Sequence, residues 1–205
     1  VYLIVSVLLL LPAAWLSAAP VDLLSADSQV FVQDNGAVDV IYSLEFRDNE
    51  GRTSIRRVGE FYEPVHFTRA FLRGADGTGT AKVVGLGGGY YRIDLPRATV
   101  AGQVYTIELH YRCNHRFADP TSNNSQDLLA VWFNPVRWGL PIEKSVIKLV
   151  LPLELPAEVV EHEDITPAMV DELGVLTDPE SLSAQDHWAF VYTDYHEQRR
   201  LTVYA

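Results

Sequence analysis

The stretch Ala37-Val38-Asp39-Val40-Ile41-Tyr42-Ser43-Leu44-Glu45-Phe46 alternates with a period of two. Val38, Val40, Tyr42, Leu44 and Phe46 fall on one side; Ala37, Asp39, Ile41, Ser43 and Glu45 fall on the other. Successive side chains of a strand point to opposite faces, so the pattern predicts a strand with one buried face. Val104–Cys113 repeats it, with Tyr105, Ile107, Leu109, Tyr111 and Cys113 inward and Thr106, Glu108, His110 and Arg112 outward. Working outward, shorter runs predict strands at 28–33, 54–61, 64–73, 80–84, 90–95, 127–133, 145–151, 188–193 and 200–204. Turn-forming clusters separate them: Asp34-Asn35-Gly36, Asp48-Asn49-Glu50-Gly51, Gly74-Ala75-Asp76-Gly77 and Gly87-Gly88-Gly89.

One helix is predicted, at residues 167–173. Thr166 can cap it, Pro167 suits its first position and Gly174 can end it. It lies in the long excursion 152–187, punctuated by Pro152, Pro156, Pro167 and Pro179. Many short strands at this spacing, with no internal repeat, predict an all-β fold: one immunoglobulin-like antiparallel β-sandwich over residues 20–205. Its core should hold Val38, Val40, Tyr42, Leu44, Ile107, Leu109, Trp132, Ile147 and Leu149, on strands from two facing sheets.

The front of the chain reads as an address. No charge precedes Asp22; Val1 to Leu11 is apolar, Pro12 interrupts, and small residues run from Ala13 to Ala19. Residues 1–19 are predicted to form an apolar signal-like helix, either a signal peptide or an N-terminal membrane segment. The domain that follows is expected outside the cytoplasm, secreted or membrane-anchored. A single cysteine, Cys113, cannot close an intrachain disulfide, which suits a bacterial envelope better than a eukaryotic secretory route.

The chain has 205 residues, 48% hydrophobic and 21% charged, which suits a folded domain and excludes a disordered tail. Lys+Arg 16 against Asp+Glu 27 gives a net charge of −11, which argues against nucleic acid as a partner. The charge is uneven: residues 149–198 hold 12 acidic groups and no Lys or Arg. A cation or a basic partner surface would be favoured there, around Glu161, Glu163, Asp164, Asp171 and Glu172; the competing reading is a solvated face.

Most catalytic chemistry fails on inspection. Gly85-Leu86-Gly87-Gly88-Gly89 is followed by the alternating Tyr90–Leu95 rather than by a helix, so it predicts a hairpin turn and not a phosphate loop. His110 points opposite to Cys113 and His115 on a strand, and no second cysteine exists to complete a zinc site. His162 with its acidic neighbours reads by default as a solvated loop. There is no Gly-x-Ser-x-Gly elbow, and Cys113 falls on the inward face as a core residue. No cofactor, metal or catalytic residue is therefore assigned. Paired carboxylates for glycoside hydrolysis need only meet in space, so a carbohydrate-active or other hydrolase stays the rival to a non-catalytic module. Trp132, Phe133, Trp138 and Trp188 either form a sugar-stacking surface or pack the core.

The stretch Asp127–Pro152 is the most distinctive: Trp132-Phe133-Asn134 ends a strand, Trp138 follows in a linker, and Pro141-Ile142-Glu143-Lys144 leads into a strand stopping at Pro152. It resembles the N-terminal region of the bacterial predicted-membrane-protein family called domain of unknown function 2207. Gly36–Val40 and Tyr105–Tyr111 stand in the corresponding order, and Ile55-Arg56-Arg57-Val58 matches more weakly. The resemblance implies an extracytoplasmic β-sandwich anchored by a membrane helix further on; the expected partner is an unknown envelope protein or glycan. This chain stops at Ala205 before any such helix, so its C-terminus is read as incomplete. The family supplies no catalytic residues.

Overall fold

The computed structural model describes residues 19–123, 126–175, 191–195 and 199–204; the expected signal-like segment and Trp188 lie outside the described residues. The strands are β1 (Val21–Val32), β2 (Val38–Asp48), β3 (Ser54–Val58), β4 (Val65–Gly74), β5 (Gly77–Thr80), β6 (Lys82–Gly87), β7 (Tyr90–Asp94), β8 (Gln103–Cys113), β9 (Ala118–Asn123), β10 (Gln126–Val131), β11 (Ile142–Glu154), β12 (Val191–Tyr195) and β13 (Arg200–Tyr204). Among the described residues one helix, α1 (Pro167–Glu172), follows a single 3₁₀ turn at His162–Asp164. The all-β expectation therefore stands. No helix among the described residues is long and apolar enough to cross a membrane.

Eight strands form one large sheet in the order β12-β13-β11-β1-β2-β8-β4-β5; β3-β7-β6 form a three-stranded sheet and β10-β9 a two-stranded ribbon. The alternation in β2 and β8 sets their register. Val40 lies opposite Tyr111, Tyr42 opposite Leu109 and Leu44 opposite Ile107, so two apolar rows coincide on one face. All six of these side chains are buried, and β1 adds Val30 opposite Val40. Cys113 is buried on this inward face, while His110 points the other way and bonds Glu108 on the outer face.

Two expectations need correction. The predicted sandwich was antiparallel, yet β1 and β11 run parallel, with Ser28 opposite Ile147 and Val30 opposite Leu149. No tight hairpin joins these two strands, so nothing local forces them to be antiparallel. The predicted core residues also do not come from two facing sheets. Those in β2, β8 and β11 all belong to the large sheet, and Trp132 lies just past β10. Trp132 and Leu149 are partly buried rather than fully so.

The facing layer is a patchwork. The three-stranded sheet contributes Val58, Val83 and Ile93, the linker after β10 contributes Phe133, Val136 and Trp138, and the excursion after β11 contributes Leu155, Val159 and Val170. Trp138 stacks on Tyr42 and donates its Nε1 hydrogen to the Tyr42 hydroxyl at 2.6 Å. Burial pushes that phenol well above its ordinary ionisation range, and the Trp138 hydrogen bond offsets only part of the shift.

The end of β2 is fastened by a buried carboxylate. Asp48 accepts two hydrogen bonds from Arg52 (2.7 and 2.9 Å), one from the Thr99 hydroxyl (2.5 Å), and backbone N–H bonds from Glu50 and Gly51. Its side chain is 0% exposed, so every lone pair lost to water is replaced by a protein donor.

Candidate ligand-binding groove

Three segments that are distant in sequence meet beside the three-stranded sheet. The first is Gly59–Glu63, which links β3 to β4; the second is the turn Gly88-Gly89 between β6 and β7; the third is Asn134–Arg137 in the linker after β10. Between them lies a groove of about 440 Å³, lined by Glu60, Tyr62, Glu63, Asn134 and Arg137 along with backbone and apolar neighbours. That volume falls in the range of small-ligand sites.

Glycine makes this meeting possible. Phe61 donates its N–H to the Gly89 carbonyl at 2.9 Å, so the two backbones touch. A Cβ on Gly89 (φ +74°) would come within 2.4 Å of the Phe61 carbonyl oxygen, and one on Gly59 (φ +137°) within 2.5 Å of the Gly89 carbonyl oxygen. Only glycine takes both the backbone angle and the approach. The expected hairpin at Gly85–Gly89 is thus present, and it also supplies one wall of the groove.

The polar groups divide into two sets. Glu63 accepts the Gly89 N–H at 3.2 Å, and the Asn134 amide donates to the Tyr62 hydroxyl at 2.8 Å. These contacts hold the walls in place. Glu60 and Arg137, by contrast, pair neither with each other nor with any other described residue, although both are exposed along the same groove. Tyr62 is 38% exposed; its ring stacks on His115 and meets Phe117 and Trp132 in edge-to-face contacts.

A water-sized void of about 10 Å³ adjoins the groove, sharing Glu60, Phe61, Tyr62 and Asn134 with it and reaching Tyr111 and Cys113. Burial pushes the Tyr111 phenol and the Cys113 thiol up, and the thiol donates to the Tyr62 carbonyl at 2.8 Å. A protonated, buried thiol is a packing group rather than a nucleophile.

The sequence-derived acidic residues lie elsewhere, on the excursion. Asp164 turns inward on its own loop and accepts the backbone N–H groups of Val160 and Glu161, which lowers its acid range. Asp171 and Glu172 sit exposed on α1, and Glu161 and Glu163 are exposed before it. Among the described residues, no three His, Cys, Asp or Glu side chains are placed to hold a metal ion. Nor do the described aromatic candidates make an open platform: Trp138 covers Tyr42, and Trp132 and Phe133 pack on Phe117.

The residues that line the groove were not singled out from the sequence. Asn134 and Arg137 stand inside the distinctive Asp127–Pro152 stretch, which was read as a family signature. Glu60–Glu63 fell partly inside a predicted strand at 54–61, although Gly59 and Pro64 bracket it as a break.

No family model matches the chain, and no curated protein matches it. Among solved structures, an M1 zinc metallopeptidase from Deinococcus radiodurans superposes with a TM-score of 0.48 at 14% identity, over 90% of this chain and 38% of that one. A mutant of that enzyme bound to a Tyr-Ser-Ala substrate gives a TM-score of 0.46 at 13% identity, with the same coverage. The chain thus spans well under half the length of these enzymes, and at such scores neither likeness bears on its activity.

Proposed function

We propose that this chain is a non-catalytic, extracytoplasmic β-sandwich module of a bacterial membrane protein, of the kind the Asp127–Pro152 resemblance implies, and that it binds an envelope ligand in the Glu60–Arg137 groove. The groove itself carries the reading: it is open, built on tied-down walls, and presents charges that lack partners among the described residues. Rigid walls with unpaired polar groups are what recognition needs, because little ordering remains to be done on binding. Two measurements test the proposal. Fractionation of cells producing the full protein should place it outside the cytoplasm, and a cytoplasmic location would overturn that part. Titration of soluble cell-wall glycan fragments should give saturable binding that Tyr62→Ala weakens; no binding, or binding indifferent to Tyr62, would count against the groove.

One observation favours the rival hydrolase. Glu60 and Glu63 line the same groove, so two carboxylates do face a common space. Both are exposed, however, whereas a general acid for glycosidic cleavage is normally enclosed in apolar surroundings. The rival requires that Glu60→Gln or Glu63→Gln abolish a measurable turnover of the same fragments.

A further inference from the structure

Resting on the binding role just proposed, we infer that the groove takes a zwitterionic ligand, with a cationic amine toward Glu60 and an anionic group toward Arg137. Glu63 and Asn134 are engaged with Gly89 and Tyr62, whereas Glu60 and Arg137 face one groove with opposite charges and no partner among the described residues. They do not pair with each other, so a ligand that satisfies both must carry its two charges apart. An anion alone would meet two carboxylates, and a cation alone would meet the guanidinium. Only a dipolar molecule gains at both ends.

The donor types sharpen the assignment. Arginine offers a planar fork that matches a carboxylate or phosphate with two parallel hydrogen bonds. Glu60 and the second oxygen of Glu63 line the same groove and are acceptors suited to an ammonium group, which carries three N–H donors. The partly exposed Tyr62 and Pro135 line the same groove and offer apolar surface to the carbon chain joining the charges. The net charge of −11 raises the local concentration of the cationic end but repels simple anions, so Arg137 supplies selection rather than capture.

The test uses three probes of one length: 6-aminohexanoate, hexylamine and hexanoate, each titrated into the full chain while the backbone amide resonances of Tyr62, Gly88 and Gly89 are followed. 6-Aminohexanoate should shift these resonances, with either singly charged analogue binding about fivefold more weakly, the size of one exposed ion pair. Glu60→Gln should erase its advantage over hexanoate, and Arg137→Gln its advantage over hexylamine. Both side chains are exposed, so each variant should keep the parent's melting temperature. Equal binding of hexylamine and 6-aminohexanoate, unaffected by Arg137→Gln, would overturn the inference in favour of a plain cation site. Glycan fragments shifting the same resonances where 6-aminohexanoate does not would overturn it while leaving the binding role intact. Silence toward both would overturn both.

Discussion

Asp48 shows how one residue can set a pH limit. Burial alone would raise its acid range, but hydrogen bonds from Arg52, Thr99, Glu50 and Gly51 outweigh that and hold it well below the usual carboxylate range. A carboxyl whose folded value lies below its unfolded value contributes stability that is fully present above the unfolded value, near pH ~4. That contribution drains away as pH falls further. Thermal melts should therefore show the parent losing stability below about pH 4, while Asp48→Asn, already destabilised at pH 7, loses less over the same interval. Parallel curves for the two proteins would contradict the assignment. Leu109 makes a simpler case: it is 0% exposed on the inner face of β8, and Leu109→Ala should cost about 2–5 kcal/mol in chemical denaturation. The inward position of Leu109 was legible in the sequence because alternation is a local property. The role of Asp48 was not, since Asp48-Asn49-Glu50-Gly51 reads only as a turn until Thr99, far along the chain, supplies its hydroxyl.

Whether an element could be read depended on how local its cause is. The cap on α1 is local: Thr166 accepts the Met169 N–H, Pro167 opens the helix and Gly174 follows it at φ +73°, so the helix was found within one residue of its end. The groove walls are not local. Gly59–Glu63 takes its shape from the Gly88-Gly89 turn, and no periodicity in either segment announces the other. Their closeness predicts that Gly89→Ala lowers stability by about 2 kcal/mol or more, from the backbone angle and the approach to the Phe61 carbonyl together. It should also weaken any ligand bound by the groove, whereas Gly87→Ala, whose Cβ meets nothing within 4 Å, should bear only the angle's cost. The acidic excursion makes a contrasting prediction. With Asp164 spent on its own loop and no three ligands converging among the described residues, millimolar calcium should leave the melting temperature unchanged. A clear rise that vanishes on neutralising Glu161, Glu163, Asp164, Asp171 and Glu172 would restore the excursion as a cation surface.

Across the whole molecule, eleven of the thirteen strands among the described residues have a counterpart in the sequence pattern, β5 and β9 being the exceptions, but the arrangement was not legible there. Alternation marks which residues of β2, β8 and β11 turn inward; it cannot say that all three strands join one sheet, or that β11 lies parallel to β1. Pairing across such distances is fixed by how the apolar faces close over a common core. Here the closing is done by a small sheet, a linker and an excursion, and the groove opens where the small sheet and the linker meet. The role proposed for this groove is to hold a ligand without chemistry. Mass spectrometry of cell-wall glycan fragments, incubated with the full chain and recovered by ultrafiltration, tests that most directly. Fragments retained with the protein and recovered at unchanged mass are the predicted result; fragments cleaved by the parent chain but left whole by Glu60→Gln or Glu63→Gln would contradict it.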